Sequence, residues 1–347
     1  MLKYKKIILF TIIFMCLFVC SLSTISAANN TINTSSTITN GIAGTGAGDT
    51  LTLQEGIYNK TGDYGITISK NITIQGNTST NQVIIDAQGL NRIFTINNNL
   101  NVTFINITFT NGRAGNGGAI YNQNTATKMT FINCTFTNNV APSGEGGAIN
   151  NFGANMRVNG CTFINNTVVA GGGGAIWNQA GGNLSVSDST FINNTANYAY
   201  NWRGGGAIYN MRSHVFSVIG CTFINNTADP GTGSALANRD SNNVIVSGCT
   251  FINNAANVTN LDRGGIIFIL ASSNITINYN RIFNNTDVNG FDIVNNQGSN
   301  VNADFNWWGT NNITNISGRI SGTVAINNYY IFNFTNSSSL DNLHVGD

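Results

Sequence analysis

The chain is short of charge: across 347 residues only 8% are Asp, Glu, Lys or Arg, the net charge is +1, and there are two histidines and two prolines. Without a charge excess there is no electrostatic basis for binding nucleic acid, an anionic membrane or an acidic partner. No metal site or cofactor is expected, because neither His214 nor His344 has ligand-type neighbours in sequence. A chain that cannot solubilise itself by charge must cover its surface with Asn, Thr and Ser. Long apolar runs are missing beyond the first, so no later stretch is long enough to cross a bilayer as a helix.

That first run follows Lys3, Lys5 and Lys6, extends from Ile7 to Leu22, and gives way to Ser26, Ala27 and Ala28. The pattern is that of a secretory signal peptide cut before Asn29, with a retained N-terminal anchor as the other reading. Bulky Leu17, Phe18 and Val19 ahead of Cys20 argue against a lipoprotein site. Regularly placed Ile, Val and Phe argue against a disordered, Asn-rich tract.

What the chain has in abundance is glycine, 39 residues of it, and internal repetition. One unit reads Asn133-Cys134-Thr135-Phe136-Thr137-Asn138-Asn139, then Gly160-Cys161-Thr162-Phe163-Ile164-Asn165-Asn166, and recurs around Ser189, Cys221 and Cys249. Phe109, Phe136, Phe163, Phe191, Phe223 and Phe251 follow one another at intervals of 27, 27, 28, 32 and 28 residues. A second unit alternates with it: Gly117-Gly118-Ala119-Ile120-Tyr121-Asn122, with copies opening at Gly146, Gly173, Gly205 and, degenerate, Gly233. Two motifs in fixed order at a fixed period mean one supersecondary unit repeated along a solenoid.

Within a unit the apolar residues alternate, as in Phe216 and Val218 or Leu184 and Val186, which is strand periodicity. A helical repeat would need apolar residues three and four apart and would not tolerate Gly-Gly in every unit. Three short strands per unit, bent at Gly and Asn-Asn, close one coil; successive coils then stack by parallel hydrogen bonding about 4.8 Å apart. The fold class is therefore all-β, a single-stranded parallel β-helix, with seven or eight regular coils forming a rod about 35 to 40 Å long.

Stacking turns each repeat position into a column. Phe136, Phe163, Phe191, Phe223 and Phe251 are expected to fill the core. The bend residues Asn138, Asn165, Asn193, Asn225 and Asn253 are expected to link their amides up and down the stack. Glycines such as Gly147 and Gly174 permit the backbone of the third corner. Irregular opening turns around Asp49 to Leu53 and Ile72 to Gly76 should blunt the first edge. The expected divisions are a signal peptide over 1–28, a cap and opening coils over 29–100, regular coils over 101–311, and over 312–347 a C-terminal cap or the start of a truncated following module.

On these residues a resemblance stands. Gly-Gly-Ala-Ile followed by Phe-x-Asn-Asn resembles the repeats of chlamydial polymorphic outer membrane proteins and, still more, the adhesin-like surface proteins of methanogenic archaea. The segments Asp49 to Tyr58, Ile66 to Gly76 and Asp304-Phe305-Asn306-Trp307-Trp308-Gly309-Thr310-Asn311 share that likeness, which spans nearly the whole mature chain. It implies a right-handed β-helix of the pectin-lyase type at the cell surface. The departure is at the C-terminus, where such proteins usually continue past Asn327-Asn328-Tyr329-Tyr330 into further modules or an anchor, and this leaves cell attachment open.

Cys134, Cys161, Cys221 and Cys249 share one rung position, with a buried thiol column and disulfides between adjacent rungs as the two readings. Asn-x-Ser/Thr sequons abound, among them Asn71, Asn106, Asn165, Asn193, Asn225, Asn274 and Asn333; if column asparagines are held by hydrogen bonds, loop positions such as Asn257 suit a glycan better. Polysaccharide cleavage needs a carboxylate pair, or a base with a metal, on neighbouring coils. Arg113, Glu145, Arg203, Asp229, Asp262 and Arg263 should fall along one edge, so Glu145, Asp229, Asp262 and Arg263 are the candidates if the protein is an enzyme, against scattered solvated charges otherwise. Tyr121, Trp177 and Tyr209 point outward by alternation, either as an exposed aromatic stripe for glycans or a protein, or beneath covering loops. The pair Trp307-Trp308 is expected to cap the last coil. The reading that follows is a non-catalytic, secreted or surface-exposed adhesin-like rod, monomeric, binding glycans or proteins of other cells; a polysaccharide lyase or glycoside hydrolase is the alternative, and a passive spacer the third.

Overall fold

A computed structural model describes residues 29–77, 82–123, 127–197, 203–260 and 263–331; the signal segment lies outside them. The chain winds into a parallel β-solenoid of about nine turns, each of about 28 residues. Its strands form sheets of twelve, ten, nine and six members, and every strand pairs in parallel with its counterpart one coil away. Where three strands per coil were expected, the middle coils carry four. The extra strand is two or three residues long, as in Val140–Ala141 and Thr195–Asn197, and buries a small apolar column of Ala141, Val168 and Ala196 apart from the main core.

Period-two alternation decides which side chains enter. In Lys128–Ile132, Met129 and Phe131 are buried while Lys128 is exposed, and Asn155–Asn159 repeats the pattern one coil on. From Phe109 to Phe251 the inner rings stack 4.7 to 4.9 Å apart, so the ring spacing equals the strand spacing and no coil is out of register. Burying one such ring stabilises by about 1.5–3 kcal/mol, and stacking adds about 0.5–1.5 kcal/mol.

The bends required a correction. Asn138, Asn165, Asn193, Asn225 and Asn253 are exposed, with φ of 53 to 56°, and their side-chain amides make no hydrogen bond among the described residues. The hydrogen-bonded column is the next residue along: Asn139, Asn166, Asn194, Asn226 and Asn254, each fully buried. Asn166 Nδ2 donates to Asn194 Oδ1 at 2.9 Å and to the carbonyl of Phe136 at 2.9 Å, and its backbone N–H donates to the same Asn194 oxygen. The division follows from geometry. The first Asn takes the left-handed conformation that Asn tolerates, which throws its side chain outward. The second is then turned inward, where an amide can satisfy main-chain groups released by the bend. A further buried column of Asn122, Asn151, Asn178, Asn210 and Asn238 links amide to amide at 2.6 to 2.9 Å at the end of the Ala-Ile strand.

Both ends of the core are closed by short helices. Ile38–Gly44 begins at Thr37, whose hydroxyl accepts from Asn40, and lays Ile38 and Ile42 over the first coil. It sits so close that a Cβ on Gly41 would come within 2.9 Å of Ile32 and Leu51. At the far end Ile313–Ser317, capped by Asn312, places Ile316 in the core, and Trp308 is fully buried beside it.

Candidate functional site

Chemistry on a solenoid of this kind has to be carried by side chains that leave the coil, so the outward columns are the places to look. On the ten-stranded sheet the column runs through Thr95, Tyr121, Asn150, Trp177, Tyr209, Ala237, Phe268 and Val294. Trp177 and Tyr209 stack face to face, centroids 4.2 Å apart and 5° between planes. They are not an exposed stripe: Trp177 is 3% and Tyr209 1% exposed. With Ala237, Phe268, Leu270 and Val294 they form a second apolar cluster outside the main core. Gly172 lies so near that a Cβ there would stand 2.9 Å from the Trp177 ring, and the Arg203 guanidinium covers that ring at 5.7 Å. Burial pushes the Tyr209 hydroxyl up to about 12. Alternation fixed the direction of these rings, but loop length and Gly172 decided their exposure.

Tyr121 differs. It is half-buried, carries the Arg92 guanidinium 4.6 Å above its ring, and lines an open cleft of about 560 Å³ with Thr95, Asn97, Asn98 and Gln123. Sugar-sized, polar and floored by one aromatic, this cleft is the part of the expected stripe that a ligand can reach.

Among the described residues the charged edge does not assemble into a catalytic pair. Glu145 accepts from the Gly172 N–H at 2.6 Å and pairs with Arg203 two coils along, its side chain 13% exposed. Burial raises its pKa, opposed by Gly172 and Arg203. Asp229 instead accepts from the Asn257 amide at 2.9 Å at the surface. Among the described residues no hydrogen bond or ion pair links Glu145 to Asp229, and the Arg263 backbone N–H donates to the Asn260 carbonyl at 3.0 Å. Arg113 bridges to Val140, and Asp262 lies outside the described residues. No group of three potential metal ligands occurs among the described residues.

Sequence reasoning passed over the place where carboxylates do approach one another. Asp292 takes the rung that Ala119, Ala148, Ala175, Ala207 and Ala235 hold in earlier coils, and Arg319 takes the next rung of the same column. The two form an ion pair at 2.6 Å. Burial pushes Asp292 up to about 7 against the pull of Arg319, with Asp287 nearby adding to the rise. Asp287 replaces the small apolar column of the fourth sheet and accepts from the N–H groups of Asn289 and Phe291, both at 3.1 Å. These carboxylates tie down the last turns.

Among the described residues the cysteines, Cys134, Cys161, Cys221 and Cys249, are free and buried. Their column runs Cys134, Cys161, Ser189, Cys221, Cys249, Asn280, Asn306, and the side chain of each coil accepts from the backbone N–H of the one before wherever the contact forms. Cys134 N–H points at Cys161 Sγ (3.4 Å), Cys161 N–H at Ser189 Oγ (3.1 Å), and Cys249 N–H at Asn280 Oδ1 (2.9 Å). Cys, Ser and Asn alternate there because the bend needs a compact buried acceptor. The sequon expectation inverts as well: Asn165, Asn193 and Asn225 stand free and exposed, while Asn257 is held by Asp229.

With this geometry in hand, the model of the Chlamydia polymorphic membrane protein repeat matches residues 133–151 and 160–179, two consecutive coils. A comparison with curated protein sequences gave no match. Among solved structures the chain is similar to a mannuronic acid specific polysaccharide family 6 lyase from human gut microbiota, at 15% identity over 80% of this chain and 79% of that one, with a TM-score of 0.46. It is also similar to the family 6 alginate lyase AlyGC, at 13% identity over 87% of this chain and 51% of that one, with a TM-score of 0.39. A pectin methylesterase in complex with a hexasaccharide follows at 13% identity, 65% and 81% coverage and a TM-score of 0.31. These likenesses concern the course of the chain alone.

Proposed function

We propose that the protein is a non-catalytic, adhesin-like rod that acts outside the cell by binding glycans or surface proteins. One observation carries the reading: every described carboxylate weighed for catalysis, Glu145, Asp229, Asp287 and Asp292, is engaged with backbone or with a structural partner, while columns that reach solvent repeat Asn, as in Asn165, Asn193 and Asn225, and Thr, as in Thr162, Thr190 and Thr222, at one spacing. A repeated polar surface suits multivalent, individually weak contacts. The matched repeat belongs to a family associated with outer-membrane or surface proteins, which supports an extracellular setting.

The test pairs a glycan array and whole-cell binding with turnover assays on polyuronates. Binding without depolymerisation is expected. Release of shorter chains that disappears in Glu145→Gln or Asp292→Asn would replace the adhesin reading with a lyase or hydrolase.

A further inference from the structure

From Asn106 onward the bend between the twelve-stranded and nine-stranded sheets is left-handed, and as far as Gly248 the residues there are Asn106, Asn133, Gly160, Asp188, Gly220 and Gly248, with φ between 50 and 65°. Those are the residue types that accept such a backbone. The last two coils break the rule. Tyr279 and Phe305 hold the same corner at φ of 57 and 58°, where a bulky side chain is a genuine outlier. Strain of this sort persists where the surrounding structure imposes it, and it concentrates at binding sites.

The strained residues gain no burial in return. Tyr279 is 50% exposed, Phe305 37%, and Tyr330 beyond them 49%. The Tyr279 and Phe305 rings stack at 5.4 Å with 4° between planes, and Tyr330 leans over Phe305 at 6.4 Å and 49°. On the other side Tyr279 faces Gly248, where even a Cβ would meet nothing nearer than the Gly220 nitrogen at 3.8 Å. One ring face is thus left open over a recess that two glycines keep clear. Next to the stack, the outward column that holds Thr in earlier coils becomes Arg281, then Trp307. Arg281, Trp307, Tyr330 and Ile331 line an apolar pocket of about 270 Å³. Arg281 is exposed; among the described residues it has no acidic partner, and its guanidinium rests 5.6 Å above the Phe283 ring.

We propose that these last coils form a binding site for a carboxylated glycan. A pyranose ring stacks on the open face of Tyr279 or on Trp307, and the sugar carboxylate pairs with Arg281, whose planar fork matches a carboxylate in two hydrogen bonds. The aromatic and cationic parts are both needed: the stack recognises the flat face of any sugar, and the guanidinium selects the acidic one. The site rests on the glycan-binding reading given above and specifies where it acts and on what class of sugar.

The test measures binding of tetragalacturonate and of neutral galactotetraose to the whole chain by calorimetry and tryptophan fluorescence, alongside the melting temperature and a glycan array. Tyr279→Gly returns the corner to the residue type of Gly248, so it should keep or raise the melting temperature while weakening tetragalacturonate about tenfold. Gly248→Asn, which the left-handed corner tolerates, should fill the recess and weaken binding to a similar degree. Arg281→Thr should remove the preference for tetragalacturonate over galactotetraose. A lowered melting temperature with unchanged affinity in Tyr279→Gly would make the stack a packing device and overturn the site. Equal affinity for both sugars in the wild type would overturn the acidic class, and a dimer dissolved by Tyr279→Gly would assign the patch to a second copy. Array binding that survives all three substitutions would overturn this site and leave the general reading standing; an array without hits would remove both.

Discussion

The coils from Cys134 to Asn254 and those from Tyr279 to Tyr330 obey the same backbone rule and fill it differently. In the middle, the inner Phe column and the buried Asn columns each hold one residue type, so that each coil is the template for the next. At the end, Phe gives way to Ile282, Thr to Arg281, the inner Cys to Asn280, and the corner Gly to Tyr279; the Ala column finishes in Asp292 and Arg319. Identical coils could add indefinitely, and an exposed last coil would be a template for other chains. Charge and polarity inserted into the columns stop that growth, and the same break leaves aromatic side chains free to do something other than pack.

The contrast can be broken most forcefully in the middle. Phe191→Ala removes one ring from a stack held on both sides, and should cost about 3–5 kcal/mol in chemical unfolding, since flanking coils fixed by parallel strands cannot collapse into the gap. Ile282→Ala, in the last strand of the same sheet, removes a smaller side chain and should cost less. Equal losses would mean that the column is no more cooperative than its end.

Next in size are the two adjacent asparagines of one bend. Asn194→Ala strips partners from the Phe163 carbonyl and the Asn166 N–H, both of which Asn194 now serves, and each orphaned buried group costs about 1–3 kcal/mol. Asn193→Gly touches no hydrogen bond and suits a φ of 53°, so its effect should stay within about 0.5 kcal/mol. Denaturant midpoints measured on both would decide it, and a larger loss at Asn193 would reverse the assignment of the amide column.

The effect specific to the end is on pH. Asp292 is raised in the folded chain from an ordinary carboxyl value to about 7 by burial. Between those two values the native state binds more protons than the unfolded one, so its contribution is fully present below about pH 4 and is lost as pH rises through about 7. Asp292→Asn should flatten melting temperature against pH across that window and leave the middle coils unaffected. A slope that survives the substitution would place the titration elsewhere, with Asp287, also raised by burial, the first candidate.

Much of this was legible beforehand. Period two and the spacing of the phenylalanines gave the parallel coil, because a column repeated at one interval has few ways to be buried. The asparagine bend was found but assigned one residue early, since Asn-Asn reads the same in either order until a backbone dihedral distinguishes them. Trp177 and Tyr209 were aimed correctly, but whether they lay exposed or beneath loops stayed open, because no local pattern tells how far a loop folds back over a sheet. Asp292 and Arg319 were invisible as a pair: they stand 27 positions apart, and only the coil places one above the other.

Sequence alone determined the repeat, the direction in which each strand side chain points and the residue types of the bends, because these depend on local stereochemistry and on periodicity. Tertiary structure decided which asparagine carries the amide column, which aromatics reach solvent and which charges meet, because each of those depends on what the neighbouring coil and its loops place about 4.8 Å away.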